Sequence, residues 1–350
     1  MITGKGTNIA LAMRSIAMDQ GKIIGLAHAN VIVISDSVGD INVMEVLDFF
    51  MRDRSFSNAA LLISTPDSAK ELLEVSLQQG GTSLSALKDY ITFNDVYLFG
   101  TDSTILSFVN NYFSPAHASV VTRLKTEELE PSGDSGGGGG SSGGAGLSED
   151  GEGSDGGGSK APSIDKKTRN DGDMAVYKRG KLVKALNLKE YRGYNWVKDY
   201  APLSLVEVEN VNDDTFSDAS VMLKILKKGV KKQFDFDSAT GYPVLKCAID
   251  IKVTVVNIVQ EKNVDNFYEG HESYLTDTVK DGLKDLVRNE IANSLSIAKA
   301  HSYDIYNIAQ SYNKFRHCEW KEYLDRLDDV DNYMEQLEIF CDVNIAAEVQ

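Results

Sequence analysis

The chain has 350 residues, 42% of them hydrophobic, and a formal net charge of −16. That length suits about two or three domains with a sizeable core. The charge opposes nucleic acid, whose phosphates it would repel, and no stretch reaches the ~20 apolar residues of a membrane helix.

Thr7 is placed to cap a helix running through Met18, with Ile9, Ala12, Met13 and Ile16 on one face and Gly21 ending it. Gly4-Lys5-Gly6-Thr7 lacks the spacing of a phosphate-cradling loop and reads as that helix's start. Asn8, Arg14 and Asp19 interrupt what would have to be the apolar core of a signal peptide, so Met1–Asp19 does not read as one. A strand follows, strongest at Val31–Ile34. Asp40 caps a second helix on which Ile41, Met44, Leu47, Phe50 and Met51 recur at helical spacing. Ala59–Ile63 reads as a short buried strand. Thr65-Pro66-Asp67 opens a helix presenting Ala69, Leu72, Leu73 and Leu77. Short helices near Ser85–Thr92 and Asp102–Tyr112 and a strand at Ala118–Leu124 complete a first region, 1–129.

Glu130–Gly172 is rich in Gly, Ser and acidic residues and almost free of apolar ones, the composition of a flexible linker with no fold of its own. The second region, 173–350, restarts with Met174, Val176, Leu182 and Ala185 around Lys178-Arg179-Gly180-Lys181. That pattern predicts a two-stranded ribbon whose turn needs glycine. Leu188–Trp196 reads as a short helical turn stopped by Gly193. Strands follow at Leu205–Val211, Ala219–Leu226, Lys231–Phe236 and Leu245–Ile258, the last with Cys247, Ile249, Ile251, Val253 and Val255 at period two. The lysines of Lys224–Lys232 read as the solvated face of a strand pair turning at Gly229. Thr276 begins a long helix with Val279, Leu283, Leu286, Val287, Ile291 and Leu295 in one stripe, extending to about Lys314 with a kink near Ser302. A strand over Gln336–Val349 closes the chain. The fold class is α+β: a mixed helix and strand N-terminal region, then an antiparallel-rich sheet packed on a long helix.

No residue pattern calls for catalysis, a cofactor or a metal. Cys247, Cys318 and Cys341 give neither a disulfide framework nor paired metal spacing. His271-Glu272 has no second histidine at zinc-peptidase spacing, and His317 and Cys318, adjacent, read as loop residues. Tyr191, Tyr194, Trp196 and Tyr200 form an aromatic group with two readings. They are a mini-core packing the ribbon onto its domain, or a partner-contact patch of the kind Tyr and Trp dominate.

Several motifs, in order, resemble the Ger(x)C family, the C subunits of spore nutrient-germinant receptors. They are His28 before Val31–Ile34, Leu47-Asp48-Phe49-Phe50-Met51-Arg52, Leu61-Leu62-Ile63, Ala69-Lys70-Glu71-Leu72-Leu73, and Glu190-Tyr191-Arg192-Gly193-Tyr194-Asn195-Trp196. Asp304-Ile305-Tyr306-Asn307 and Trp320-Lys321 follow, with Asn307 where the family has glycine and no proline before Trp320, departures that loosen the local turn. The resemblance implies a non-enzymatic receptor subunit at the outer face of the spore inner membrane, partnered by the integral-membrane A and B subunits and acting in nutrient-triggered germination. It also implies an N-terminally shortened member, because no signal peptide is visible and no cysteine before Cys247 offers a lipid-attachment site. The alternative is a soluble ligand-binding or scaffold protein derived from that family.

Overall fold

The computed structural model describes residues 2–38, 41–78, 87, 103–128, 166–198, 204–260 and 274–347. In chain order the N-terminal elements are α1 (Ile9–Gln20), β1 (Val31–Ser35), α2 (Val43–Arg52), β2 (Leu61–Thr65), α3 (Ala69–Gln78), α4 (Ile105–Phe113), β3 (Ala118–Thr122) and β4 (Lys125–Glu128). After the Gly-rich segment come β5 (Lys166–Arg169), β6 (Met174–Lys178), β7 (Lys181–Leu186), α5 (Leu188–Val197), β8 (Ser204–Val211), β9 (Ala219–Phe236), β10 (Pro243–Val259), α6 (Asp277–Ala300), α7 (Ile308–Phe315), α8 (His317–Leu324) and β11 (Glu338–Ala347). The helix expected near Ser85–Thr92 lies, apart from Leu87, outside the described residues.

Helix starts sit slightly later than the sequence suggests, because asparagines do the capping. Asn8 Oδ1 accepts the Leu11 amide at 2.9 Å and Asn42 Oδ1 the Met44 amide at 2.9 Å, in place of Thr7 and Asp40. Thr104 caps α4 through the Ser107 amide at 3.1 Å. β1 and β2 pair in parallel, and the Leu124 amide donates to the Ser64 carbonyl at 3.0 Å, bringing the end of β2 beside β3.

The ribbon β6–β7 forms as expected, with Arg179 and Gly180 both at positive φ (51° and 77°). β3, from before the Gly-rich segment, pairs antiparallel with β6 in a sheet of order β3-β6-β7. Every residue of Met174–Tyr177 is buried, and alternate side chains enter two different cores. Met174 and Val176 join the large C-terminal core, while Ala175 and Tyr177 join the core of Leu47, Leu62, Ile105 and Phe108. Tyr177 reaches Ser64 Oγ at 3.1 Å, Ser64 donates to Asp36 at 2.5 Å, and Arg123 pairs with Asp36 at 2.7 Å. A polar chain thus ties the ribbon to the ends of β1 and β2.

The last residues assigned to the linker also differ from expectation. Lys166–Arg169 pair antiparallel with Lys125–Glu128. Lys166 bridges to Glu71 at 2.7 Å, and Arg169 to Glu127 at 2.6 Å. This ribbon is held by charge on residues too polar to read as strands.

The second sheet has order β11-β10-β9-β8, antiparallel except for the parallel pair β10–β11. Cys247, Ile249, Ile251, Val253 and Val255 point inward at period two, facing the α6 stripe Val279, Leu283, Val287 and Ile291. Each such fully buried side chain contributes about 1.5–3 kcal/mol. β9 is one continuous strand, without the turn expected at Gly229. A bulge at Leu226 switches its buried face from odd residues (Val221, Leu223, Ile225) to even ones (Lys228, Val230, Phe234). The long helix ends at Ala300, well before Lys314, because Ser302 turns to positive φ (49°) and α7 starts anew.

Gly180 couples this ribbon to α2. Its carbonyl accepts the Val43 amide at 2.8 Å, and a Cβ at Gly180 would lie 1.9 Å from Asn42 Oδ1. Gly180→Ala is therefore expected to cost about 1–2 kcal/mol from the positive φ alone, and more from the collision. Urea unfolding checks this; an unchanged midpoint would refute it.

Candidate functional site

α5 carries the most distinctive motif of the sequence, and its construction starts at Asn187. Asn187 Oδ1 accepts the Glu190 amide at 3.0 Å and Glu190 returns a bond to the Asn187 amide at 2.9 Å, a reciprocal cap. The helix then runs through Gly193 instead of stopping there. Gly193 has another reason to be glycine. A Cβ on it would sit 2.0 Å from the Glu290 carbonyl oxygen and 2.6 Å from Ser294 Cβ, so α5 and α6 touch backbone to backbone.

That contact brings two side chains onto one carboxylate. Trp196 Nε1 donates to Glu290 Oε2 at 2.7 Å, and the Arg192 guanidinium lies 3.3 Å from Oε1 in an ion pair largely hidden from solvent. Burial pushes the Glu290 carboxyl above its ordinary value, with Arg192 and the Trp196 bond acting in the opposite direction. Tyr194 packs on Tyr191 at 5.3 Å and edge-on to Tyr306 at 5.6 Å, and Tyr306 donates to Ser294 Oγ at 2.8 Å.

Tyr191, Tyr194 and Trp196 are only 0, 3 and 1% exposed. All three are packed against neighbours from their own chain. Tyr200, the fourth member of the aromatic group, lies outside the described residues.

The C-terminal end of α5 is closed by a residue that the sequence placed in solvent. Lys228, on the even face that the β9 bulge turns inward, is 7% exposed. Its ammonium donates to the Asn195 carbonyl, to the Lys198 carbonyl at 2.6 Å and to the Trp196 carbonyl at 3.4 Å. A cation is thereby placed on the negative end of the helix dipole. Of the other lysines of the run, Lys227 and Lys231 keep the solvated role expected of them, while Lys224 and Lys232 are half-buried.

The second motif, Asp304–Asn307, completes the same junction. Asp304 is 1% exposed and accepts the Ile308 and Ala309 amides, both at 2.9 Å, together with the Tyr333 hydroxyl at 2.9 Å. It caps α7, while burial raises its carboxyl above the usual range. Asn307 takes φ 56° and ψ 38°. That is the left-handed region where asparagine is the best substitute for glycine, so the turn keeps its geometry. Trp320 closes the far side, 3% exposed and stacked on Tyr312 at 5.2 Å.

Sequence reasoning missed Glu290 and the inward turn of Lys228 because their partners on α5 are distant in the chain; Asp304, quoted within its motif, bonds the nearby Ile308 and Ala309 amides and the more distant Tyr333 hydroxyl. The legible signals were the parity change along β9 and an acid within an otherwise apolar stretch. His317 and Cys318 lie on α8, not in a loop. His271 and Glu272 fall outside the described residues. Cys247 and Cys341 face each other across β10 and β11. Among the described residues no group of three or more His, Cys, Asp or Glu could hold a metal, and no helix is long and apolar enough to cross a membrane. A carboxylate, an ammonium and a glycine contact together join α5, α6 and β9 at this junction.

Comparison with known proteins agrees with this architecture. Residues 1–126 match the family description "Spore germination protein N-terminal domain", and residues 172–350 match "Spore germination B3/GerAC like, C-terminal". The two matches define a spore germination protein. The chain belongs to the Ger(x)C family, the C subunits of germinant receptors. Among solved structures it is similar to "Crystal Structure of the GerBC protein", with a TM-score of 0.55 and 14% identity, covering 91% of this chain and 79% of that one. That likeness shows the fold. No curated protein matches the sequence.

Two predictions follow from the junction. Gly193→Ala should destabilise by about 1–3 kcal/mol through overpacking. Gly229→Ala, whose added Cβ meets nothing within 4 Å, should stabilise the strand by about 0.5–1 kcal/mol. Equal effects in denaturant titrations would rule out the backbone contact. The Glu290 carboxyl titrates above its ordinary 4.5 in the folded chain, so its stabilising share is present below 4.5 and is lost as pH rises through the folded value. The stability of Glu290→Gln relative to the parent should therefore increase with pH across that interval. A difference that stays constant with pH would contradict it.

Proposed function

We propose that this chain is the C subunit of a germinant receptor and acts by binding, without catalysis, alongside integral-membrane A and B subunits at the outer face of the spore inner membrane. The observation that carries the reading is the ordered pair of family matches over 1–126 and 172–350. The GerBC-like fold supports it, as does a motif junction given over to internal packing. Trp196 donates to Glu290 and Arg192 forms an ion pair with it, which suits a rigid body that transmits a partner's change of state.

The test is genetic. Deleting the gene in a host with no second C-subunit gene should abolish nutrient germination, and restoring it at its own locus should recover the response. Normal nutrient germination in the deletion strain would overturn the assignment. Fractionating spores adds the location: recovery with the inner membrane supports it, and recovery in the soluble fraction favours a soluble ligand-binding or scaffold role.

A further inference from the structure

β11 is the outer strand of the C-terminal sheet, paired on one side with β10 over ten consecutive residue pairs from Glu338 to Ala347 without a bulge. Its other edge has no strand beside it among the described residues. Natural edges are blunted by charged side chains, lysine above all, by proline, bulges or shortness; Glu338–Ala347 has no lysine, proline or bulge, and its charges are the exposed Glu338 and Asp342. The inward side chains are also incompletely covered. Ile339, Cys341 and Ile345 are only half-buried, although they point toward the core, and Phe340 is 56% exposed.

Beside this edge lies an open trough of about 590 Å³ between β11 and α6. Its floor includes Ile291, Leu295, Ile339 and Cys341, and Arg288 and Lys299 stand on its α6 wall, eleven positions apart along the helix. At ~1.5 Å rise per residue that separation is roughly 16 Å, the reach of about five residues of extended chain. A strand laid against β11 would thus meet apolar surface in the middle and a cation toward each end.

We propose that the β11 edge takes up an extended segment of a partner protein by strand addition, with apolar side chains in the trough and a carboxylate opposite each of Arg288 and Lys299. Backbone hydrogen bonds supply the affinity and the trough the selectivity. A second copy of this chain fits less well, since strand-to-strand pairing about a two-fold axis would bring the Arg288 and Lys299 rims of both copies together, and like charges so placed oppose association. This inference stands on the edge and its charges, independently of the receptor assignment.

The experiment uses the full chain and two labelled heptapeptides. Both carry valine at positions three and five and threonine at two, four and six; one ends in glutamate at both termini, the other in lysine. Fluorescence anisotropy should show saturable binding of the glutamate peptide, about tenfold tighter than the lysine peptide, and hydrogen exchange should show new protection confined to Glu338–Ala347. Arg288→Glu with Lys299→Glu, two substitutions at the protein surface, should reverse the preference. The proposal fails if neither peptide binds saturably, if binding leaves β11 exchange unchanged, or if the double variant keeps the parent's preference. It fails equally if light scattering shows a concentration-dependent dimer that already protects β11 without peptide.

Discussion

Strand β6 has no solvent-facing side. A strand normally gives one face to a core and the other to water, and a slip of one residue exchanges them. Here either slip would be ruinous, because Met174 and Val176 fill one core while Ala175 and Tyr177 fill another. β3 fixes the strand on one edge and β7 on the other. The position of α5 follows from β7, the docking of α6 follows from α5, and the N-terminal helices follow from the opposite face. Burial on both faces is the constraint from which the relation between the two halves of the chain is built.

From β6 outward the packing is transmitted by polar groups that have given up their solvent. Glu290 takes the indole of Trp196 and the guanidinium of Arg192, Lys228 takes three carbonyls, and Asp304 takes two amides and a hydroxyl. Each leaves water only because its partners are in place, so each is also a demand on geometry. The apolar stripes would tolerate several packings of α5 on α6. A carboxylate that must reach Trp196 while Gly193 rests on its own backbone carbonyl tolerates one.

The sequence made the periodic elements legible: the α6 stripe, the alternation of β10, the ribbon with its glycine turn and the order of family motifs all stand in the structure. It misled where one residue type serves two purposes. Gly193 reads as a helix stop and is a contact between helices; Gly229 reads as a turn and lies within a continuous strand. Long-range contact explains both, since the α6 backbone that Gly193 meets and the β8 and β10 ladders that hold β9 extended lie outside any local window. The aromatic group shows the same limit. Composition identified rings that matter, while only the fold could show that Tyr191, Tyr194 and Trp196 face inward. The pairing of β4 with β5 escaped because strands of lysine, threonine and glutamate are written in charge, not in hydrophobic alternation.

The place where the chain leaves β4 and returns as β5 has a simple geometry. Glu128 and Lys166 are opposite one another in the ladder, so everything between them starts and finishes at the same spot. For a flexible connection between two such adjacent ends, each doubling in length costs only about 0.6 kcal/mol. The fold is accordingly almost indifferent to how many residues are inserted there. Natural variation can lengthen, shorten or recompose that part of the gene with little consequence for the body on either side of it.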